Sequence, residues 1–275
     1  MADIHQFKHA AMATHFEVRI FHDEQTYAAQ AAQAAFDLLD TLESRLSRFL
    51  PNSDISRIAN LPPGEKMRLS EPAFSCLQIA RRMEQVTLRA FCATPAALKT
   101  QAFVPQWELL PEDQCIRCVS GQLQFDLGAI GKGFALDRMA ELLRHWDCLS
   151  FLLVAGGSSI LAGDSPSDTP GWSCGLGDDA TQRFFLTHAS LSGSGLAVKG
   201  SHILDPRTGR AALRQKRAWV LADTAAESDA LSTACMVLSE TELEEVIAQC
   251  DSWLAFLETD EGARPIGNRV LPMQA

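Results

Sequence analysis

Residues 125–146 read FDLGAIGKGFALDRMAELLRHW, a strand-like start followed by clustered glycines and an amphipathic helix. The glycines allow positive φ and a close approach of a ligand to the backbone. The start of the helix offers free N–H groups to an anion, and Lys132 adds a full positive charge. An anion-binding turn and an ordinary tight turn that begins at Asp126 explain the segment equally well. It is not a P-loop, because Asp126 stands where a glycine is needed and no Ser or Thr follows Lys132.

Helices and strands are predicted on both sides of this stretch, in no regular order. Alternating polarity predicts a strand over 13–21, and Ala and Leu at helical spacing predict a helix over 27–46. A second helix is predicted over 71–87, and a β-hairpin of CIRCV and QLQFDL is predicted to turn at 120–121. Further strands are predicted over 149–157, 171–176, 182–187, 216–222 and 253–258, and further helices over 131–146, 225–238 and 240–250. Because strands and helices mix without a βαβ alternation, the pattern favours an α+β layered fold with mixed sheets and packed helices.

Breaker residues mark two irregular segments but no domain boundary. Residues 50–65 contain prolines and a glycine and predict a loop, and three prolines leave 92–113 without a clear period. No Pro- or Gly-rich linker divides the chain, so a single domain over residues 1–275 is expected.

Composition and charge exclude several classes of protein. The 275 residues are 47% apolar and 21% charged, which is too apolar for a disordered chain. No apolar run approaches the ~20 residues that span a bilayer, so no membrane anchor is expected. The net charge of −10 argues against nucleic acid as a partner. The N-terminus lacks the apolar core of a secretory signal, which predicts a cytoplasmic protein with reduced thiols.

The eight cysteines include one pair at a recognisable spacing. Cys115 and Cys118 form a lone C-x-x-C. No second pair and no His pair stands at zinc-ribbon spacing, so two cysteines of a short strand are favoured over a zinc or redox site.

Residues 199–209 read KGSHILDPRTG and contain a strong turn signal. Asp-Pro-Arg-Thr-Gly favours a β-turn whatever the function of the segment is. His202 stands three residues before Asp205 and close to a glycine, outside any apolar core run, which makes it a candidate general base. A structural histidine is the alternative.

Residues 226–234 read AESDALSTA and open a predicted helix. Asp229 and Thr233 are four residues apart and therefore lie on one helix face. A carboxylate and a hydroxyl so placed suit a hard cation such as Mg²⁺. The alternative is an ordinary first turn whose acidic residues favour the helix dipole, and Asp229 is expected to be exposed there. A fourth segment, AGGSS (155–159), either lines a ligand or only turns the chain.

Taken together and in this order, the motifs resemble those of the FAD:protein FMN transferase family, the ApbE-like proteins. DLGAIGKGFALD resembles the family's D-x-G-[GA]-x-[AG]-K-G-[YF]-A-x-D, and KGSHILDPRTGR resembles its H-[IL]-[ILV]-D-P-[RKT]-T-G. AESDALSTACMVL resembles its A-D-A-L-A-T-A-x-x-V-L. Further similarities lie in VAGGSSI, in SGSG, in Met12-Ala13-Thr14, in Leu46-Ser47-Arg48-Phe49 and in Ser53-Asp54-Ile55-Ser56. The similarity spans roughly residues 12–240 and implies one ApbE-like unit with a flavin site in a cleft.

The resemblance implies a Mg²⁺-dependent transferase with FAD as its substrate. A Thr or Ser hydroxyl of a target flavoprotein would attack the FMN-side phosphorus of FAD, and AMP would leave. His202 is the implied base. The implied contacts of FAD are Met12, Phe49, Asp126, Lys132 and Ile203. The implied metal ligands are Asp229, Thr233, the Ala129 carbonyl and, where some relatives place another oxygen, Ser232.

The chain departs from the family pattern at four places. CATPAAL (92–98) replaces Asp-Pro-[TS]-x-x-P-L, Trp107 lies near the place of an absent Trp-Gly-Phe, Ser158 replaces an Asp, and Ala13 replaces a Gly. Two alternatives therefore stay open, an FAD-binding relative without transfer and an FAD pyrophosphatase that uses water. A scaffold with decayed motifs is disfavoured, because the charged residues of the three main motifs are retained.

Overall fold

The computed structural model describes residues 2–95, 104–177, 182–195, 203–212 and 214–270. Its helices are α1 (Gln25–Leu46), α2 (Asp54–Ile58), α3 (Glu71–Val86), α4 (Gly131–His145), α5 (Ala225–Cys235) and α6 (Glu240–Ile247). Its strands are β1 (Asp3–Ala11), β2 (Thr14–His22), β3 (Lys66–Arg68), β4 (Gln106–Leu110), β5 (Cys115–Ser120), β6 (Phe151–Ala155), β7 (Ser159–Ala162), β8 (Trp172–Leu176), β9 (Gln182–Leu186), β10 (Ala189–Gly195), β11 (Arg217–Ala222), β12 (Leu254–Thr259) and β13 (Gly262–Ile266).

One large antiparallel sheet organises these elements. Its strand order is β1-β2-β6-β7-β10-β11-β12-β13, and two small sheets, β3-β5-β4 and β8-β9, lie outside it. Neighbouring strands of the large sheet pair antiparallel throughout, so the described residues form no parallel crossover unit in it. The α+β prediction, with sheets and packed helices in one compact unit, is therefore confirmed, while the sheets are antiparallel rather than mixed within the described residues.

The two faces of the large sheet are covered differently. Side chains alternate between faces along a strand. Leu153 belongs to the main core with α1, α4 and α5, whereas the adjacent Leu152 packs with Trp172 and Phe184 of the β8-β9 sheet. The main helices therefore share one face of the sheet, and the starts of α4 and α5 lie together on that side.

The long helices follow from their apolar spacing. In α1 the buried residues recur every three or four positions and half of them are alanine, which permits close packing of helices. Helix α3 begins after Ser70 with proline in its first turn, as predicted. The predicted boundaries of α1, α3 and α4 agree with the observed ones to within two residues.

The predicted hairpin around 120–121 is wrong. β5 pairs with β3 and β4 instead, and residues 122–127 form no strand. Leu123, Phe125 and Leu127 are nevertheless buried. The alternation of apolar residues here comes from side-chain packing of a segment that forms no strand. A strand and such a segment produce the same sequence pattern, so the pattern does not distinguish them.

Two segments that were expected to be irregular contain regular elements. α2 lies within the predicted loop 50–65, where the Ser53 hydroxyl caps the Ser56 N–H at 2.9 Å. β4 lies within 92–113 and was not predicted. Residues 96–103 are outside the described ranges, and so are the last three residues of the departure at 92–98.

Cys115 and Cys118 are separate thiols on β5. Their Sγ atoms donate to the carbonyls of Asp113 and Gly121, both at 3.4 Å, and burial raises the pKa of Cys118. This arrangement agrees with two cysteines in a strand, the interpretation favoured above. No helix within the described ranges has the length and apolar character needed to cross a bilayer.

Candidate active site

The turn before α4 is shaped by its own carboxylate. Asp126 Oδ1 accepts the Gly128 N–H at 3.0 Å, and the Leu127 carbonyl accepts the Gly131 N–H at 2.6 Å. Ile130 precedes the helix and supplies no side-chain cap, so N–H groups of the first turn are left for other partners. The segment is therefore a tight turn, and the start of α4 receives its negative charge from Asp229, which accepts the Gly133 N–H.

Lys132 and Asp229 meet across the two helices. Lys132 Nζ lies 3.2 Å from Asp229 Oδ2 and 3.2 Å from the Gly128 carbonyl oxygen. The Gly133 N–H donates to Asp229 Oδ2 at 3.3 Å, and the Ser159 hydroxyl donates to Oδ1 at 3.3 Å. A cation, a helix N-terminus and a hydroxyl of β7 thus hold the Asp229 carboxylate of α5.

The expectation that Asp229 is an exposed carboxylate is wrong. Only 3% of the residue is exposed. Helix α5 begins inside the molecule, because a Cβ atom on Gly133 would lie 2.0 Å from the Ala225 carbonyl oxygen and only glycine lets the two backbones come so close. The close approach buries the first turns of α5 and brings Asp229 beside the start of α4.

Thr233 and Ser232 lie one turn further along α5. The Thr233 hydroxyl lies 3.4 Å from the Asp229 carbonyl oxygen and 3.3 Å from Ser194 Oγ. The Ser232 hydroxyl is fully buried between the Asp229 carbonyl and Ser194 Oγ, at 2.9 Å from each. Thr233 keeps partial exposure, so its oxygen is the more accessible of the two for an ion.

The kinds of oxygen found at this site are those that a hard cation prefers. Mg²⁺ prefers a few protein oxygens and keeps its other positions for water and phosphate. Asp229 supplies a buried carboxylate, Thr233 supplies a hydroxyl, and the Ala129 carbonyl belongs to the turn that Lys132 contacts at Gly128. Within the described part of the chain, no group of three or more His, Cys, Asp and Glu side chains could hold a metal ion.

An exposed aromatic ring lies at the edge of this cluster. Phe49 is 77% exposed, and the Arg48 guanidinium carbon lies 4.6 Å from its ring centroid. The same guanidinium lies 3.4 Å from Asp126 Oδ2. Arg48 thus connects the Phe49 ring to the turn that precedes Lys132.

The turn of the β1–β2 hairpin contacts the segment that leads to Ser159. Met12 and Ala13 have φ of 50° and 56°, an uncommon conformation for residues with side chains. The Gly156 N–H donates to the His15 carbonyl at 2.8 Å, and a Cβ atom on Gly156 would lie 2.6 Å from Thr14 Oγ1. The segment 155–159 therefore turns the chain from β6 to β7, and its last residue reaches Asp229 as described above.

The Asp-Pro-Arg-Thr-Gly turn is present. The Asp205 carbonyl accepts the Gly209 N–H at 2.8 Å, and Gly209 has φ of 71°. Ile203 is buried, and its carbonyl accepts the Ala212 N–H at 2.9 Å. His202 lies outside the described residues, so its role as a base stays a prediction.

Three further residues belong to this cluster and were not identified from the sequence. Arg48 and Ser159 belong to two of the sequence motifs, but no role was predicted for either residue. Asp137 closes the motif DLGAIGKGFALD, and its carboxylate accepts the N–H groups of Ala225 and Ala226 at 2.7 and 2.8 Å. Burial raises the pKa of Asp137 to about 7, although both N–H bonds act against this rise. Its place in the motif was the only signal available.

The fold matches that of known flavin transferases. The "flavinyl transferase ApbE, apo form" of Pseudomonas stutzeri superimposes with a TM-score of 0.83 at 18% identity, covering 96% of this chain and 95% of that chain. The fold is therefore of the ApbE flavin transferase class. The sequence model described as "ApbE family" matches residues 12–257, so the chain belongs to the ApbE family.

Curated relatives carry the name "FAD:protein FMN transferase". The Chlamydia muridarum protein is 28% identical over 211 residues, which covers 66% of this chain and 66% of the relative. The Salmonella typhimurium protein is 28% identical over 156 residues, covering 51% of this chain and 44% of the relative. This chain therefore spans less than half of the length of the Salmonella protein.

Proposed function

We propose that this protein transfers FMN from FAD to a Thr or Ser hydroxyl of a target flavoprotein and releases AMP. Membership of the ApbE family and the names of the curated relatives support the activity. The observation that carries it is the buried Asp229 carboxylate, shared by Lys132 and by the N-terminus of α4. We further propose that residues 1–275 form one catalytic domain. The cytoplasmic location and the absence of a nucleic-acid partner stay predictions.

The reaction exchanges a phosphoanhydride bond of FAD for a phosphate ester bond to the acceptor. The acceptor oxygen bonds to the FMN-side phosphorus, the bond from that phosphorus to the bridging oxygen breaks, and the bridging oxygen leaves with AMP. The hydroxyl proton passes to His202 in this proposal. Phosphoryl-type transfer depends mainly on positioning and on neutralising charge, with little covalent chemistry from the protein.

Lys132 and the turn before α4 are proposed to bind the pyrophosphate. The Lys132 side chain is 21% exposed while that of Asp229 is 4% exposed, so the ammonium can meet an anion at the surface and contact the carboxylate beneath it. The start of α4 adds the positive end of the helix dipole, while its Gly131 and Gly133 N–H groups already donate to the Leu127 carbonyl and to Asp229. These groups favour negative charge on the transferred phosphoryl group.

A bound Mg²⁺ would supply further neutralisation of the pyrophosphate charge. Asp229, Thr233 and the Ala129 carbonyl are its proposed ligands. Ser232 is the weakest member of the proposed set, because its hydroxyl is already engaged between α5 and β10.

The flavin or adenine ring is proposed to lie on Phe49, with Met12, Asp126 and Ile203 around it. An exposed aromatic face suits the stacking of a planar ring. The Arg48 guanidinium already covers the Phe49 ring at 4.6 Å, so the ligand would stack on the opposite face or displace the arginine.

Product analysis tests the activity directly. The protein is incubated with FAD, Mg²⁺ and a flavoprotein domain that carries an acceptor Thr, with the Thr→Ala form of that domain as control. We expect AMP and covalently attached flavin in equal amounts, and attachment only to the Thr form. AMP with free FMN would instead identify a pyrophosphatase, and unchanged FAD would identify a binding protein without transfer.

Ligand preference tests the pyrophosphate assignment separately. We expect FAD to bind more tightly than FMN in the presence of Mg²⁺, because FMN lacks the pyrophosphate that Lys132 and the turn would contact. Quenching of flavin fluorescence measures both affinities. Equal affinities would contradict the assignment of these residues to a pyrophosphate.

A further inference from the structure

Helices α4 and α5 each place a carboxylate at the start of the other helix. Asp137 of α4 accepts the N–H groups of Ala225 and Ala226 with its two oxygens, at 2.7 and 2.8 Å. Asp229 of α5 accepts the N–H of Gly133, the third residue of α4, at 3.3 Å. The exchange is reciprocal and joins the first turns of both helices.

This exchange satisfies donors that water does not reach. The first four N–H groups of a helix have no partner within the helix. Ala225 and Ala226 are fully buried, and α4 has no side-chain cap of its own at Ile130. Each helix thus depends on the other for acceptors at its start.

Asp137 does more than cap α5. The Thr224 side chain already accepts the Glu227 N–H at 3.4 Å and gives α5 a cap from its own chain. Asp137 instead ties α5 to a neighbouring helix at the point where Gly133 and Ala225 bring the two backbones together. One turn beyond this point α5 carries Asp229.

We infer that Asp137 is a positioning residue, which fixes the start of α5 against α4 and thereby sets where the Asp229 carboxylate stands relative to Lys132. For its effect on catalysis this inference rests on the proposed function. Its structural part does not, because the contact of Asp229 with the Gly133 N–H exists whatever reaction the site performs.

Hydrogen exchange tests the structural part. Asp137→Asn keeps the size of the side chain but leaves only one acceptor oxygen for two N–H groups. We expect the Gly133 amide, which Asp137 does not contact, to lose protection by about tenfold in this variant. The control is Thr224→Ala, which removes the cap of α5 from its own chain and should leave exchange at Gly133 unchanged.

Kinetics test the catalytic part in the same variants. With AMP release as the assay, Asp137→Asn should lower kcat by about tenfold or more and change the KM for FAD by less than about twofold, because misplaced groups weaken the transition state most. Thr224→Ala should keep kcat at any temperature well below its Tm.

The outcomes test the structural part and the catalytic part of the inference separately. Normal exchange at Gly133 together with normal kcat in Asp137→Asn would overturn the inference. Equal losses in Thr224→Ala would also overturn it, since they would reduce Asp137 to an ordinary cap. If the wild-type protein releases no AMP, the proposed function fails, while the exchange experiment still decides whether Asp137 positions the helices.

Discussion

The two ends of the candidate site are built in opposite ways. At the α4–α5 pair, Asp229 is 3% exposed and is held by contacts from Lys132, Gly133 and Ser159. At the rim, Phe49 is 77% exposed and meets the Arg48 guanidinium on its ring. The first region is arranged before any ligand arrives, whereas the second offers a surface for a ligand to cover.

This contrast indicates that the α4–α5 pair stabilises the transition state, whereas the rim contributes to ligand binding. Charges fixed in a dry site stabilise a transition state without being rearranged during the reaction. An exposed ring gains contacts only when a ligand stacks on it, so it contributes to binding of the ground state as well. Changes at the helix pair should therefore act on kcat, and changes at the rim on KM.

Loss of the Asp229 carboxylate should have the largest effect. Asp229→Ala and Asp229→Asn are both expected to abolish Mg²⁺-dependent AMP release, because the only formal negative charge in the proposed ligand set is lost. Asp229→Ala should also destabilise the fold by about 1–3 kcal/mol, since the buried Gly133 N–H loses its acceptor. Titration of Mg²⁺ against AMP release, with thermal unfolding in parallel, measures both effects.

The control for this prediction is Asp223→Asn. Asp223 is exposed, lies just before α5 and pairs with Arg269 at 2.9 Å. It should keep the wild-type Mg²⁺ titration curve. An unchanged curve in Asp229→Ala would remove Asp229 from the metal site.

His202→Ala should have the next largest effect. We expect it to lower AMP release by about 10²–10⁴-fold, the usual effect of losing a general base. FAD binding should stay near normal, because the base acts on the acceptor hydroxyl. His188→Ala is the control, since that histidine is exposed and pairs with Asp164. Wild-type rates for His202→Ala across pH 6–9 would show that the histidine is structural or that no base is needed.

Much of the fold could be predicted from the sequence, because local patterns carry it. The burial period of α1 and the proline in the first turn of α3 are properties of short segments. Strand β1 was missed because it is an edge strand with mostly exposed side chains, and residues 122–127 were misassigned because burial alternates there without pairing.

The site was predictable in composition but not in burial. The order of motifs identified Lys132, Asp229 and Thr233 as a set. The exposure of Asp229 depends on how α5 docks on α4, which is decided by the contact of Gly133 with Ala225, 92 positions apart by their numbers. No periodicity or spacing within either helix contains that information, and the same holds for the contacts of Asp137 and Ser159.

Thr233→Val should weaken Mg²⁺ less than any change at Asp229, because it removes one neutral oxygen and keeps the shape of the side chain. We expect the midpoint of the Mg²⁺ titration to rise by about tenfold or less, with kcat at saturating Mg²⁺ largely kept. Ser194→Ala is the control, since Ser194 contacts the Thr233 hydroxyl at 3.3 Å from β10. If both variants shift the midpoint equally, the hydroxyl of Thr233 serves the helix–strand contact and is no metal ligand.

Phe49→Ala should have the smallest effect and should change KM rather than kcat. The ring is 77% exposed, so its loss removes little buried surface and should leave Tm unchanged. An aromatic contact with a ligand ring is worth about 0.5–1.5 kcal/mol, which predicts a two- to tenfold rise in the KM for FAD. Leu50→Ala is the control, because Leu50 is exposed beside Phe49 but offers no ring, and Phe49→Tyr should restore KM. A fall in kcat larger than the rise in KM would place Phe49 with the helix pair, and the two ends of the site would then work as one.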